Sequence, residues 1–68
     1  MTVHPATVAL LRYFDYAHLP PHLQAVSRPF HDLAHDLAGR LSGAEVSAGL
    51  RKLLEAKDCM VRAALDCG

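Results

Sequence analysis

Two groups of side chains in this 68-residue chain have types and spacings that could do chemistry. The first is an aromatic lead-in, Tyr13-Phe14-Asp15-Tyr16-Ala17-His18-Leu19-Pro20-Pro21, followed by cations at Arg28, Arg51, Lys52, Lys57 and Arg62. Tyrosine rings stack on nucleobases for roughly 1–3 kcal/mol per base. Guanidinium and ammonium groups hold phosphates through charge-assisted hydrogen bonds. Tyr13 and Tyr16 are therefore stacking candidates, with Phe14 assigned to the core. The plainer alternative lays both tyrosines over the fold with their hydroxyls in water and leaves each cation on a solvated face.

The second group is His31-Asp32-Leu33-Ala34-His35-Asp36, which repeats a His-Asp pair four residues on. On a helix that spacing puts both imidazoles on one face, as in helical zinc sites. A zinc protease also needs a glutamate right after the first histidine and a third ligand, and Asp32 stands at that place instead. A solvated or interface-edge face is the favoured reading, with no metal ligand assigned. No serine or cysteine has the histidine and carboxylate spacing of a nucleophilic site, and there is no Gly-rich phosphate loop. The chain reads as a binding protein without a cofactor and not as an enzyme.

Seven basic and seven acidic side chains cancel, so the broad positive field of a duplex nucleic-acid binder is missing and any anion site must be local. There is no secretory h-region and no apolar run near the length of a membrane span, which points to a cytoplasmic protein with reduced thiols. Cys59 and Cys67, eight residues apart on one helix, would be separated by about 12 Å along its axis. A disulfide needs Cα atoms roughly 4.4–6.8 Å apart.

The elements that must position these residues follow from periodicity and punctuation. Pro5 suits a first helical turn, and Val8, Leu10, Leu11 and Phe14 fit a short helix over about residues 5–13. Pro20-Pro21 favours extended backbone and then a helix start. Leu23, Val26, Phe30, Leu33, Leu37 and Leu41 then form one apolar stripe, which predicts a helix over about 20–41. Pro29 lies inside it, so the choice is a helix bent near Pro29 or a fresh start capped by Ser27; the stripe keeps phase through the proline and favours the bent helix. Ser42-Gly43-Ala44-Glu45 carries a capping-box signature and opens a third helix over about 43–66. Its buried side is Val46, Leu50, Leu53, Leu54, Met60 or Val61, Ala64 and Leu65, and Arg51 with Glu55 and Asp58 with Arg62 are spaced for ion pairs.

So short a turn makes the last two helices antiparallel neighbours, each roughly 33–36 Å long. The expected fold is all-α: a short N-terminal helix plus a long antiparallel αα-hairpin, in one domain. Domains near this length bury only roughly 60% of their unfolded surface. A two-layer hairpin also leaves apolar flanks open, at Leu54 and Leu65 or at Val8, Leu10 and Leu11. Self-association into a homo-oligomer would cover them. Ala48, Gly49, Ala56, Ala63 and Ala64 allow close approach of a second copy, or simply pack on the second helix.

Taken together, Phe14, Tyr16, His18, Pro20 and Pro21 in front, with Leu50, Arg51, Lys52, Leu53, Glu55 and Ala56 behind, give the chain from about Tyr13 to Leu65 a likeness to a known family. It resembles the helical-hairpin family of phage immune-evasion sponges, the anti-CBASS cyclic-oligonucleotide sponges and the related hairpin of anti-Thoeris sponges. The resemblance implies hexamers that sequester cyclic di- and trinucleotide second messengers, without cleaving them, in the cytoplasm of an infected bacterium. It implies that Tyr16 stacks on a base and that Arg51 serves a second, trinucleotide-type pocket between subunits. Ser27 falls where the family carries a phosphate-binding cation, with Arg28 beside it as the substitute. The ligand-binding set is then Tyr16, Arg28, Arg51 and Lys52, with Tyr13 and His18. The partners are the messenger and further copies of the chain, not duplex nucleic acid or membrane. The alternative is a helical-hairpin adaptor that binds a host or phage protein through an exposed apolar flank.

Overall fold

The computed structural model describes residues 5–67, apart from the side chain of Cys67. The expectation about Cys67 pairing therefore lies outside the described residues; Cys59 is an exposed free thiol. Helix α1 spans Pro5–Leu11, a 3₁₀ turn Arg12–Phe14, helix α2 Pro21–Arg40 and helix α3 Ala44–Cys67. Among the described residues there is no strand, and no helix is long and apolar enough to cross a membrane.

Proline and glycine set the boundaries. Pro20 is extended (φ −58°, ψ 154°) with Pro21 in the first helical turn, where a missing N–H costs nothing. The Pro20 carbonyl accepts from the amides of Leu23 and Gln24 at 3.0 and 2.9 Å. α2 runs unbroken through Pro29, so the fresh start at Ser27 does not occur. Pro29 and Ala25 are both exposed, and water can hydrate the Ala25 carbonyl that proline leaves without a donor. The chain reverses at Gly43, whose φ of +112° is open to a residue lacking Cβ. The expected capping box is absent: the amide of Val46 bonds the Gly43 carbonyl at 3.1 Å, and no hydrogen bond joins Ser42 to Glu45. Glycine's backbone freedom has taken over the reversal that the Ser42 side chain was expected to cap.

α1 is also shorter than expected. The helix tightens after Leu11 into the 3₁₀ turn, which brings Phe14 inward until none of it is exposed. Phe14 packs with Ala34, Ala38 and Leu50, and Leu10, Leu11, Phe30, Val46, Leu53 and Leu54 close around them. This arrangement corrects the apolar stripe of α2. Its buried residues are Leu23, Ser27, Ala34 and Ala38, whereas Leu33 is 46% exposed and Leu41 54%. A phenylalanine ring needs volume, and alanines on the facing helix provide it; leucines there would exclude the ring. α2 is therefore rotated so that its small residues face inward.

On α3 the inward positions include Leu50, Leu53, Leu54 and Val61, while Met60 and Leu65 are exposed. The flanks shift accordingly. Leu10, Leu11 and Leu54 are covered within the chain; Val8 and Leu65 remain open, joined by Leu33, Leu41, Met60 and Tyr13. Thr7, nearly buried, places its hydroxyl 3.3 Å from that of Ser47 and ties α1 to α3. The molecule measures 38 × 19 × 16 Å with a radius of gyration of 12.4 Å, longer and thinner than the roughly 11 Å of a compact chain of this size.

Ser27 is fully buried and its hydroxyl has no hydrogen-bond partner. It cannot occupy the phosphate-contacting place to which the resemblance aligned it. An unsatisfied buried polar group costs roughly 1–3 kcal/mol. Ser27→Ala should therefore raise the melting temperature, whereas Leu50→Ala, which empties the centre of the core, should cost about 2–5 kcal/mol; thermal unfolding followed by circular dichroism reads both.

Candidate functional site

Between Phe14 and Pro21 the connector is folded onto α2 by a few hydrogen bonds. The Asp15 amide bonds the Arg12 carbonyl at 3.2 Å and the Leu19 amide the Tyr16 carbonyl at 3.0 Å. The Gln24 side chain then donates through Nε2 to the carbonyls of Leu19 at 2.7 Å and Ala17 at 3.4 Å. One amide thus clamps both sides of the turn that carries Tyr16. The first turn of α2 and the aromatic connector are thereby joined by side-chain hydrogen bonds.

Held in this way, Tyr16 is half-buried and meets His31 edge-on, with centroids 5.0 Å apart and planes at 80°. His31 in turn lies 4.3 Å from His35, tilted by 41°. Nδ1 of His31 is 3.0 Å from Oδ1 of Asp32, and Nε of Arg28 is 3.6 Å from Oδ2 of the same carboxylate. The hydrogen bond from His31 is the largest influence and holds the Asp32 carboxyl below its ordinary value of 3.8; desolvation, the next largest, opposes it, and the charge of Arg28 lowers it further. Tyr16, Arg28, His31 and His35 therefore form one continuous cluster. Arg28 remains 67% exposed, so its guanidinium can reach a second partner.

Of the expected ligand-binding residues, the fold gathers Tyr16 and Arg28. Tyr13 is 65% exposed and His18 is exposed; no hydrogen bond, ion pair or ring contact joins either to the cluster. Arg51 and Lys52 are exposed on α3. Among the described residues they have no ion-pair partner, and the expected Arg51–Glu55 and Asp58–Arg62 pairs are not formed. Lys57 instead pairs with Asp58 at 3.1 Å, and Arg62 donates to Sγ of Cys59 at 3.4 Å. Along α2 the i,i+4 pairs do form, Arg28 with Asp32 and Arg40 with Asp36.

Sequence reasoning left Gln24, His31, Asp32 and His35 out of the ligand-binding set. Gln24 has no role in the sequence reading, and His31 and His35 figure there as a solvated or interface-edge face, with a metal site weighed below it. The signal was present: Gln24, Arg28, His31 and His35 recur at steps of 4, 3 and 4, which is one helical stripe.

A second feature lies near the hairpin turn. Leu33, Leu37 and Leu41 of α2 with Glu45, Val46, Gly49, Leu50 and Leu53 of α3 line an apolar groove of about 290 Å³. Gly49 leaves its floor open, for a Cβ there would meet nothing within 4 Å. Among the described residues no set of three or more potential ligands is arranged to hold a metal ion. No protein-family model, curated protein or solved structure matches the chain.

Two outcomes follow from the cluster. A carboxyl whose folded value is lowered contributes stability above its unfolded value and loses it as pH falls through the folded one; a carbon-detected NMR titration should show Asp32 protonating below 3.8. Gln24→Ala should cost about 1 kcal/mol and release Tyr16, seen as loss of the tyrosine ring-current shift on the His31 protons.

Proposed function

We propose that this chain is a non-catalytic phage sponge that self-assembles and sequesters cyclic oligonucleotide immune messengers in the infected cell. The observation that carries this reading is the Tyr16 ring held against His31 beside an exposed Arg28 guanidinium. An aromatic ring for a base and a cation for a phosphate are then linked through His31 and Asp32. Arg28, not the buried Ser27, takes the phosphate role on α2. Sequestration needs affinity and stoichiometry alone, so it asks for no reacting group.

Self-assembly is supported by what the single chain leaves uncovered. Leu33 and Leu41, both about half exposed, flank an apolar groove, and apolar surface of that kind is stabilised by burial at roughly 25 cal/mol per Å². In a symmetric assembly one tyrosine and one arginine per chain become two of each at a shared seam, which suits a ligand with two bases and two phosphates. Arg51 and Lys52, without ion-pair partners on α3, are the cations for a second pocket of trinucleotide type. The exposed Tyr13 and His18 serve as outer contacts to the ligand. The same groove favours one other reading, a helical-hairpin adaptor whose partner lays an apolar segment along Leu33, Leu37 and Leu41.

Isothermal titration against cyclic dinucleotides, cyclic trinucleotides and cyclic ADP-ribose isomers should give heat with at least one. Tyr16→Ala should then weaken that ligand by about 5- to 150-fold, the stacking range of 1–3 kcal/mol. Absence of heat across the set would end the sponge reading. Native mass measurement should find an oligomer that Leu41→Glu dissociates without unfolding; under the adaptor reading Tyr16→Ala would leave function untouched while Leu41→Glu abolished it.

A further inference from the structure

The nucleotide reading uses Tyr16 and Arg28 but gives the paired imidazoles of α2 no task of their own. His31 and His35 stand one helical turn apart with ring centroids 4.3 Å apart and planes tilted by 41°. Two nitrogens each bonded to one zinc ion at about 2.0–2.1 Å lie about 3.3 Å from one another at the tetrahedral angle. Rings this close reach that separation by small side-chain rotations.

The Asp32 contact adds what spacing could not reveal. Its carboxylate only accepts hydrogen bonds, so the Nδ1 of His31, 3.0 Å away, carries the proton. In the neutral ring the lone pair then sits on Nε2. A carboxylate behind a histidine fixes the tautomer and makes the ligating nitrogen more basic, the outer-shell arrangement common to metal-binding histidines. Asp32 is itself steadied by Arg28, and Tyr16 braces the His31 ring edge-on. Both rings can be reached from water: the His31 side chain is 26% exposed and His35 is exposed.

We infer that His31 and His35 form a two-histidine clamp for a transition-metal dication of the zinc class, with Asp32 as the positioning carboxylate. No third protein ligand joins them among the described residues, so water or an anionic ligand completes the coordination and the site is open and exchangeable, unlike a closed structural zinc site. Imidazole donors select this class over magnesium or calcium, which require oxygen. The clamp needs no nucleotide and stands or falls separately from the sponge reading.

Zinc chloride titrated into the full chain, with no nucleotide present, tests it when the Cε1 protons of the histidines are followed by NMR. His31 and His35 should shift together along one saturation curve, and magnesium should move neither. His35→Gln, at an exposed position, should weaken the zinc response of His31 at least tenfold, and Asp32→Asn should weaken it about 10–100-fold with helicity retained. Zinc held by the Cys59 thiol would leave both rings unmoved, as would absence of binding, and either result overturns the inference. So does a His31 response that survives His35→Gln unchanged.

Discussion

The insertion of Phe14 against Ala34, Ala38 and Leu50 is the contact on which the remaining structure depends. Fully burying a phenylalanine side chain contributes roughly 1.5–3 kcal/mol. A single core in a chain of this length rarely supplies more than roughly 3–5 kcal/mol net. One ring is thus a large part of the net stability, and the fold is arranged to admit it. Ala34 and Ala38 of α2 turn inward because they leave room, and Leu33 and Leu41 are left exposed as a consequence.

That rotation sets two surfaces at once. Leu33, Leu37 and Leu41 come to line an open groove with α3, which leaves the isolated chain with uncovered apolar area near its hairpin turn. Gln24 and His31 are brought against the connector that leaves Phe14, with Arg28 and His35 on the same helical stripe. Tyr16 follows Phe14 by two residues, so the position of the core ring largely determines where the tyrosine meets α2. Gln24 then holds the turn in place through the Leu19 and Ala17 carbonyls. Core and candidate site are thus joined through one short connector.

Charge acts locally in this molecule. The chain is neutral as a whole, and exposed ion pairs of the Arg28–Asp32 kind contribute only about 0–1 kcal/mol. Their effect is on orientation: Asp32 holds a guanidinium on one oxygen and an imidazole on the other. α3 differs: among the described residues Arg51 and Lys52 have no ion-pair partner, while Lys57 pairs with Asp58. The cations Arg28 and Arg40 of α2 are organised by their own helix, as are Lys57 and Arg62 of α3, whereas Arg51 and Lys52 are exposed.

Helical content, the antiparallel hairpin and the continuity of α2 through Pro29 were legible in the residues, because periodicity and proline or glycine placement act locally along the backbone. Tyr16 and Arg28 could be named, but not their union through His31 and Asp32, since neighbours along α2 do not reveal where a distant loop will settle. The phase of α2 was misread for a related reason. Hydrophobicity ranks leucine above alanine for burial, yet an interior must also be filled to close-packed density, and only the arrival of Phe14 decides which face has the right volume. By itself, the amino-acid order determined which segments would be helical and where they would turn. Tertiary structure alone decided which side of each helix faces inward, because that choice rests on shape complementarity between residues far apart in the chain.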